Sequence, residues 1–488
     1  MEATLILAID QGTTGSTCLV VDREGSVAGR GQAEITQHFP APGLVEHDPD
    51  EIFEVTLGVA GEALLEAGIE GRDLEAIGIT NQRETVVAWD RETGEALHRA
   101  LVWQDRRGAD RCRGLSASGF AETVRDRTGL LVDPYFSATK IEWLLAELEE
   151  PGRAVFGTID SWLVQRLCGN HLTDPSNASR TMLFDIRKMA WDPELCEEFG
   201  IDPEALPEVV PSTGPFGTTS AFGGEVPVTG VAGDQQAALF GQACFNPGQV
   251  KNTYGTGSFL LMNSGSEVPD PGAGTVSTVA WDLGHGPTYA AEASIFVTGA
   301  AVQWLRDGLG VISDAAETEA LAASLESNEG VYFVPALTGL GSPWWDAEAR
   351  GTIVGLTRGS GRAQLVRATL EAIAYQSFDA VRAEEASTGR RIEALKVDGG
   401  AVANGWLMQF QADLLGVPVI APTYLEMTGT GAAALASVGA GLDTPEDLAG
   451  RWQASRTWEP TISRDEAETL LEGWHRALEA CRTVSGGA

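Results

Sequence analysis

Lysine is almost missing from this 488-residue chain. Only Lys140, Lys188, Lys251 and Lys396 accompany the arginines, and 33 basic residues face 69 acidic ones, a formal net charge of −36. So negative a surface repels nucleic acid and anionic membranes, which removes both as partners. The acids are spread along the chain rather than gathered in a tail, the pattern of a solvated acidic surface rather than an acidic binding module. A dispersed acid excess with scarce lysine points to a halophilic protein of a salt-rich cytoplasm, where self-repulsion is screened. A GC-rich genome would exchange lysine for arginine but would not add acids. Long apolar runs are also lacking, so no membrane insertion is expected. No basic region or cleavage site precedes the first apolar strand, which sets the expectation of a cytoplasmic protein. The six cysteines lie far apart with no Cys-x-x-Cys pair, so neither a zinc site nor a disulfide framework is suggested and they read as small core residues.

What the chain does have is length for two large domains and a hydrophobic content of 43%, that of a globular protein. Near its start the apolar residues Ile6 to Ile9 run into Asp10, then Gln11-Gly12-Thr13-Thr14-Gly15, then a second apolar strand from Cys18 to Val21. A Gly/Thr turn of this kind brings backbone N–H groups and hydroxyls close to a phosphate, and the acid at the strand end is placed to hold a divalent metal against it. No Gly-Lys-Ser/Thr follows, so this is not a Walker loop; an ordinary hairpin with a polar turn is the plain alternative. In mid-chain the plan recurs: Val250 to Tyr254, Gly255-Thr256-Gly257, then Ser258 to Met262. The repeat predicts an internal duplication with a cleft between the halves and a boundary near Gly241 to Pro247, giving domains 1–244 and 245–488. Strands are expected at Ile77–Thr80, Val86–Trp89 and Ala394–Val397, and helices at Glu51–Ala67, Thr139–Leu148, Ala293–Leu305 and Gln364–Ala386. Strands separated by helices of that length predict α/β sheets covered on both faces.

Four further groups carry possible chemistry. Asp234 follows a short apolar strand and Gly233 and opens a helix, where it can act as a general base on a hydroxyl or simply cap the helix. Arg83 and Glu84 stand at a strand terminus, fit to bind neighbouring hydroxyls or to form a surface salt bridge. Trp103, Tyr135 and Phe259 sit beside turns, where aromatics either wall off the carbon face of a small polyol or merely pack. Asp398-Gly399-Gly400 after a strand lets a nucleotide approach the backbone.

Taken together, the segments AIDQGTTGS, GITNQRET (78–85), VWQDRR (102–107), TGLLVDPYFS (128–137), NASRTMLFDI (177–186), GVAGDQQAALFGQ (230–242), KNTYGTGSF (251–259) and VDGGAVANGWLMQFQADLLG (397–416) resemble the FGGY carbohydrate kinases, and the likeness covers nearly the whole chain. The resemblance implies two ribonuclease H-like domains of the actin/hexokinase ATPase type with an interdomain cleft. It implies ATP-dependent phosphorylation of glycerol to sn-glycerol 3-phosphate with Mg2+, in a homo-oligomer, a dimer or tetramer. By that likeness Arg83, Glu84, Tyr135 and Asp234 hydrogen-bond glycerol with Gln235 close by, Trp103 and Phe259 form the apolar wall, and Asp234 is the base. Asp10 helps place Mg2+. Thr13, Thr14 and Gly15 meet the terminal phosphates, Thr256 and Gly257 lie in the second phosphate turn, and Gly299, Gln303, Gly400 and Asn404 contact the rest of the nucleotide.

Two departures stand out. Thr17 occupies a position where the resembling enzymes that act on glycerol usually carry an arginine, and the stretch Phe216 to Val226 is short and has neither Arg nor His. In those relatives that region carries a fructose 1,6-bisphosphate site or a phosphorylated histidine. The competing expectations are a kinase of the same family for another small polyol or sugar, and a non-catalytic sensor or chaperone-like ATPase on the same fold. Intact Asp10 and Asp234 argue against the second.

Overall fold

The computed structural model describes residues 4–485. Its N-terminal half is built on β1 (Leu5–Gln11), β2 (Gly15–Asp22), β3 (Val27–Glu34), β4 (Leu74–Asn81), β5 (Gly217–Thr219) and β6 (Val226–Gly233). They form one sheet in the order β5-β6-β4-β1-β2-β3. β1, β4 and β6 run parallel, and the other three are antiparallel to their neighbours. The C-terminal half contains β7 (Val250–Tyr254), β8 (Ser258–Gly265), β9 (Val276–Asp282), β10 (Pro287–Ile295), β11 (Leu395–Gly399), β12 (Val419–Pro422) and β13 (Ala454–Trp458). Here the order is β9-β10-β8-β7-β11-β12-β13, with β7, β11 and β12 parallel. From β10 to β13 this sheet repeats the course and strand directions of the first, from β3 to β5. The duplication expected from the two Gly/Thr turns is therefore real at the level of fold.

Helices cover the sheets. The first, α1 (Pro49–Ala67), starts where Asp48 accepts hydrogen bonds from the Asp50 and Glu51 N–H groups with Pro49 inside the first turn, and it stops at Gly68 in the left-handed conformation. Helix α2 (Asp234–Gly241) follows β6 directly, and α3 (Gly299–Gln303) follows β10 after a short turn. The helix expected over Ala293–Leu305 is thus corrected at its start. Residues through Ile295 belong to β10, because Ala293, Ser294 and Ile295 continue its pairing with Leu260, Phe259 and Ser258 of β8, and a five-residue π turn (Trp304–Gly308) succeeds α3. The remaining expected elements form, within a few residues of their expected ends. Helices α4 (Arg362–Thr388), α5 (Gly405–Leu415) and α6 (Met427–Gly439) complete the set used below.

Helix α6, late in the chain, packs Ala432, Ala433 and Ala436 on Ile6, Ala8, Leu19, Val21 and Ala76 of the N-terminal sheet. The approach depends on glycine: a Cβ at Gly78 would lie 2.1 Å from the Ala432 carbonyl oxygen, and one at Gly230 would lie 2.5 Å from the Ala436 nitrogen. A smaller four-stranded sheet, from Glu46–His47, Val86–Asp90, Ala100–Leu101 and Ala154–Thr158, extends the N-terminal half and has its own core.

The scarce lysines are spent inside. Lys140 and Lys251 are fully buried, and Lys396 is half-buried with its ammonium over the Trp452 ring. Lys140 Nζ donates to the carbonyls of Pro134, Tyr135 and Phe136 at 2.9, 2.7 and 3.0 Å, pinning the loop that carries Tyr135. Only Lys188 has an exposed side chain. All the cysteines but the half-buried Cys168 are buried, as small core residues would be. Among the described residues no helix is long and apolar enough to cross a membrane.

Candidate active site

The C-terminal ends of β1, β4 and β6 deliver the chemistry of the first half. β1 ends in Asp10-Gln11, and the turn to β2 is closed by the Gly12 N–H on the Gly15 carbonyl at 2.9 Å. Gly15 is obligatory, since a Cβ there would lie 2.2 Å from the Ala33 carbonyl oxygen. Thr14 is exposed at the tip, and the Thr13 hydroxyl accepts the Trp103 indole N–H at 2.8 Å. Turn and aromatic wall are therefore tied together. Asp10 stands opposite Thr17 across the hairpin. Burial first, then the nearby Asp234 and Glu426 carboxylates, push its pKa up to about 8. That crowding of three acids is the environment in which an arriving cation is favoured. No group of three or more His, Cys, Asp or Glu among the described residues is arranged to hold a metal ion.

The equivalent turn of the second half, Gly255-Thr256-Gly257, is closed in the same way, by the Gly255 N–H on Gly257 O at 2.8 Å. The start of α3 is seated on it: Gly299 N–H donates to Gly255 O at 3.1 Å and Ala300 N–H to Thr256 O at 3.0 Å. Thr256, Gly257 and Gly299 are thus brought together. Gln303 is exposed one turn further along, and Gly400 is exposed at the end of β11. Asn404 caps α5 by accepting the Leu407 N–H at 2.9 Å and donates to Thr318 at 3.1 Å, so part of its amide is engaged within the protein.

Arg83 and Glu84 lie between β4 and the Val86–Asp90 strand and are not a surface pair; only 3% and 1% of their surfaces are exposed. Glu84 takes a left-handed φ of 62°, an unfavourable conformation for a non-glycine residue. Asp234 is the first residue of α2, whose cap is Gly233, so helix capping is not its task. Its Oδ1 accepts the Gln235 N–H at 2.7 Å and faces Arg83 Nε at 3.1 Å, and its Oδ2 accepts Gln235 Nε2 at 3.0 Å. Gln235 is in turn fixed by Lys251 from β7, whose Nζ donates to Gln235 Oε1 at 2.6 Å. Trp103 meets Tyr135 edge to face at 5.5 Å, and the Arg83 guanidinium lies 5.8 Å from the Phe259 ring centroid. Burial raises the Tyr135 phenol far above its usual range, so it stays protonated as a donor.

Two charged residues here were not foreseen. Arg180 and Glu292 are both fully buried and complete a ring with Arg83 and Glu84. Glu292 accepts from Arg83 at 2.5 and 3.2 Å and from Arg180 at 2.8 Å; Arg180 Nε donates to Glu84 at 2.7 Å. Burial alone would raise the Glu292 pKa, but the Arg180 and Arg83 charges more than reverse it and hold it at about 2. A sequence signal existed for Glu292: one acid inside the apolar run Tyr289-Ala-Ala-Glu-Ala-Ser-Ile. Arg180 gave none beyond its place in the NASRT segment.

Residues 5–241 match the model of the FGGY family of carbohydrate kinases, N-terminal domain, and residues 250–440 match that family's C-terminal domain. A glycerol kinase of Carboxydothermus hydrogenoformans is 50% identical over 494 residues, covering 99% of each chain. Glycerol kinase 2 of Thermotoga maritima is 51% identical, covering 97% of this chain and 98% of the other. Among solved structures, a Plasmodium falciparum glycerol kinase with ADP superposes with a TM-score of 0.92 at 34% identity, covering 98% of each chain. A gluconate kinase of Lactobacillus acidophilus, at TM-score 0.88 and 22% identity over 99% of each chain, shares the fold.

Proposed function

The chain belongs to the FGGY family of carbohydrate kinases, and from that premise we propose that it transfers the γ-phosphoryl group of ATP to a terminal hydroxyl of glycerol, giving sn-glycerol 3-phosphate. The observation that carries the reading is the convergence of three polar groups on one small space: the Arg83 guanidinium, the Glu84 carboxylate and Asp234. Trp103, Tyr135 and Phe259 flank them, and Trp103 is hydrogen-bonded to the phosphate turn. A polyol has hydroxyls to match donors and acceptors on one side and a carbon edge to match aromatics on the other. Phosphoryl transfer asks little covalent chemistry of a protein, so positioning and charge neutralisation carry the rate. Asp234, held on both oxygens and still partly open, takes the proton of the attacking hydroxyl. Thr13, Thr14 and Gly15 on one side and Thr256, Gly257 and Gly299 on the other receive the phosphates. Gln303, Gly400 and Asn404 lie toward the nucleoside. Asp10 is the residue that would hold Mg2+, which when bound with the nucleotide offsets phosphate charge.

At the position of Thr17 the phosphate turn lacks a guanidinium. Gln32 pairs with Thr17 in the β2–β3 register, and Arg30, two residues along β3, donates to Gln32 Oε1 at 2.9 Å and pairs with Glu426 at 2.8 Å. In this reading Arg30 supplies basic character on that side. A salt-rich cytoplasm is part of the same proposal and rests on the acid excess and scarce lysine of the composition. The domain division at 244/245 and a homo-oligomeric state belong to the same reading, size-exclusion chromatography with light scattering being the check on the latter. The function itself is tested by incubating the protein with Mg-ATP and a panel of polyols and sugars that includes xylulose and gluconate. ATP-dependent turnover of glycerol is expected. Turnover of a sugar in its place would overturn the substrate assignment.

A further inference from the structure

Arg83 has five N–H donors to place. Nη1 spends both, on Glu292 Oε2 at 2.5 Å and Gln236 Oε1 at 3.2 Å, and Nη2 spends one on Glu292 Oε1 at 3.2 Å. The end of the fork is thus occupied by a bidentate carboxylate, and the inner flank by an amide. What remains is the outer flank, where the Nε–H and the second Nη2–H point the same way. Nε is buried and makes no hydrogen bond within the described residues, with Asp234 Oδ1 3.1 Å away. A similar allocation holds for Glu84. Its Oε1 accepts Arg180 Nε at 2.7 Å, and no hydrogen bond to its Oε2 is made among the described residues.

The residue behind both allocations is Glu292. It lies on β10 of the C-terminal half, 209 positions from Arg83, and its Oε1 also accepts Arg180 Nη2 at 2.8 Å. Arg180 in turn is the group that holds Glu84. From this geometry we infer that Glu292, with Arg180, is a positioning pair that turns the outer flank of Arg83 and the free oxygen of Glu84 toward the polyol, so that the glycerol site of one half is set by a carboxylate from the other. The inference rests on the glycerol reading above.

The chemistry explains why a carboxylate is needed. Bidentate pairing fixes a guanidinium in rotation as well as position, which a single acceptor cannot do. A glutamine at 292 would keep the shape but turn one N–H group toward a guanidinium N–H, freeing Arg83 to swing and loosening Arg180. A buried ion ring that only held the fold together would behave differently: its loss would lower stability and leave recognition of the hydroxyls as it was.

The test uses Glu292→Gln and, as a second variant, Arg180→Lys, which keeps the charge but cannot join two carboxylates as a fork. In Glu292→Gln the KM for glycerol should rise roughly 10- to 100-fold, the span for a weakened hydrogen bond to a charged group. The KM for ATP should stay within about a factor of two, since uniform binding of the nucleotide is untouched. The preference of the wild type for glycerol over propane-1,2-diol and propane-1,3-diol should shrink in the same variant, and the melting-temperature rise given by glycerol should fall. Arg180→Lys should show the same pattern more weakly. If either folded variant melts lower yet keeps its glycerol KM and its discrimination against the diols, the pair is structural only and the inference is wrong. A wild-type control that fails to phosphorylate glycerol would instead overturn the functional reading.

Discussion

Replacing Asp234 by asparagine is a demanding perturbation because the structure fixes every neighbour of that side chain. Oδ1 faces two donors, the Gln235 N–H and Arg83 Nε, and Oδ2 faces a third, Gln235 Nε2. Gln235 cannot flip to offer its oxygen, since that oxygen accepts from the buried Lys251 ammonium. An asparagine NH2 therefore meets a donor in either orientation. Leaving one such group unsatisfied costs about 1–3 kcal/mol, so a lowered melting temperature is expected. The catalytic loss is separate. Without a base near the hydroxyl, kcat should fall by about two to four orders of magnitude, roughly 3–5 kcal/mol of barrier. The assay is coupled ADP release at saturating glycerol and ATP, with glycerol affinity followed independently by thermal shift. Stability alone would lower the active fraction without changing turnover per folded molecule. A folded Asp234→Asn enzyme retaining more than about a tenth of its kcat would refute the base assignment.

Other outcomes follow from the same geometry. The folded Asp10 carboxyl sits above its usual value of 3.8, at about 8, so between those values the folded state keeps a proton that the unfolded chain has lost, and this group makes stability fall as pH rises through that window. Ligand-free Asp10→Asn should therefore gain melting temperature relative to wild type from pH 4 to pH 8 and bind Mg-ATP more weakly; an unchanged gap across that range would contradict the placement of Asp10 among the other acids. With a formal charge of −36, melting temperature should climb from low to multimolar KCl, and a flat or falling curve would leave base composition as the reason for scarce lysine. Thr17→Arg should lower the KM for ATP and leave that for glycerol nearly unchanged, whereas a change in glycerol alone would move the turn away from the phosphates. Fructose 1,6-bisphosphate should not inhibit, since 216–226 offers it neither arginine nor histidine; clear inhibition would reveal a control site elsewhere.

The parts of the fold that were legible are those written in local code. The two hairpins announce themselves because strand, Gly/Thr turn and strand follow one another directly. Helix α1 is readable from its Asp48-Pro49 start and Gly68 stop. The segment before Gly299 was misread because small and apolar residues suit strand and helix alike, and the choice is made by pairing with β8, which local pattern does not contain. The packing of α6 on the N-terminal sheet is equally non-local. At the site, Arg83, Glu84 and Asp234 stood beside strand ends where polar residues are conspicuous. Arg180 and Glu292 act through contacts spanning 96 to 209 positions. A lone glutamate in an apolar strand was the one visible hint, and its meaning depended on knowing which arginines would surround it.

The most direct test of the account is product analysis of the wild-type protein incubated with Mg-ATP and glycerol, by phosphorus NMR with stereospecific enzymatic assay of the product. The account predicts one equivalent of sn-glycerol 3-phosphate for each ADP formed. ADP formed together with inorganic phosphate and no phosphorylated polyol, or phosphorylation of a sugar with glycerol untouched, would contradict it.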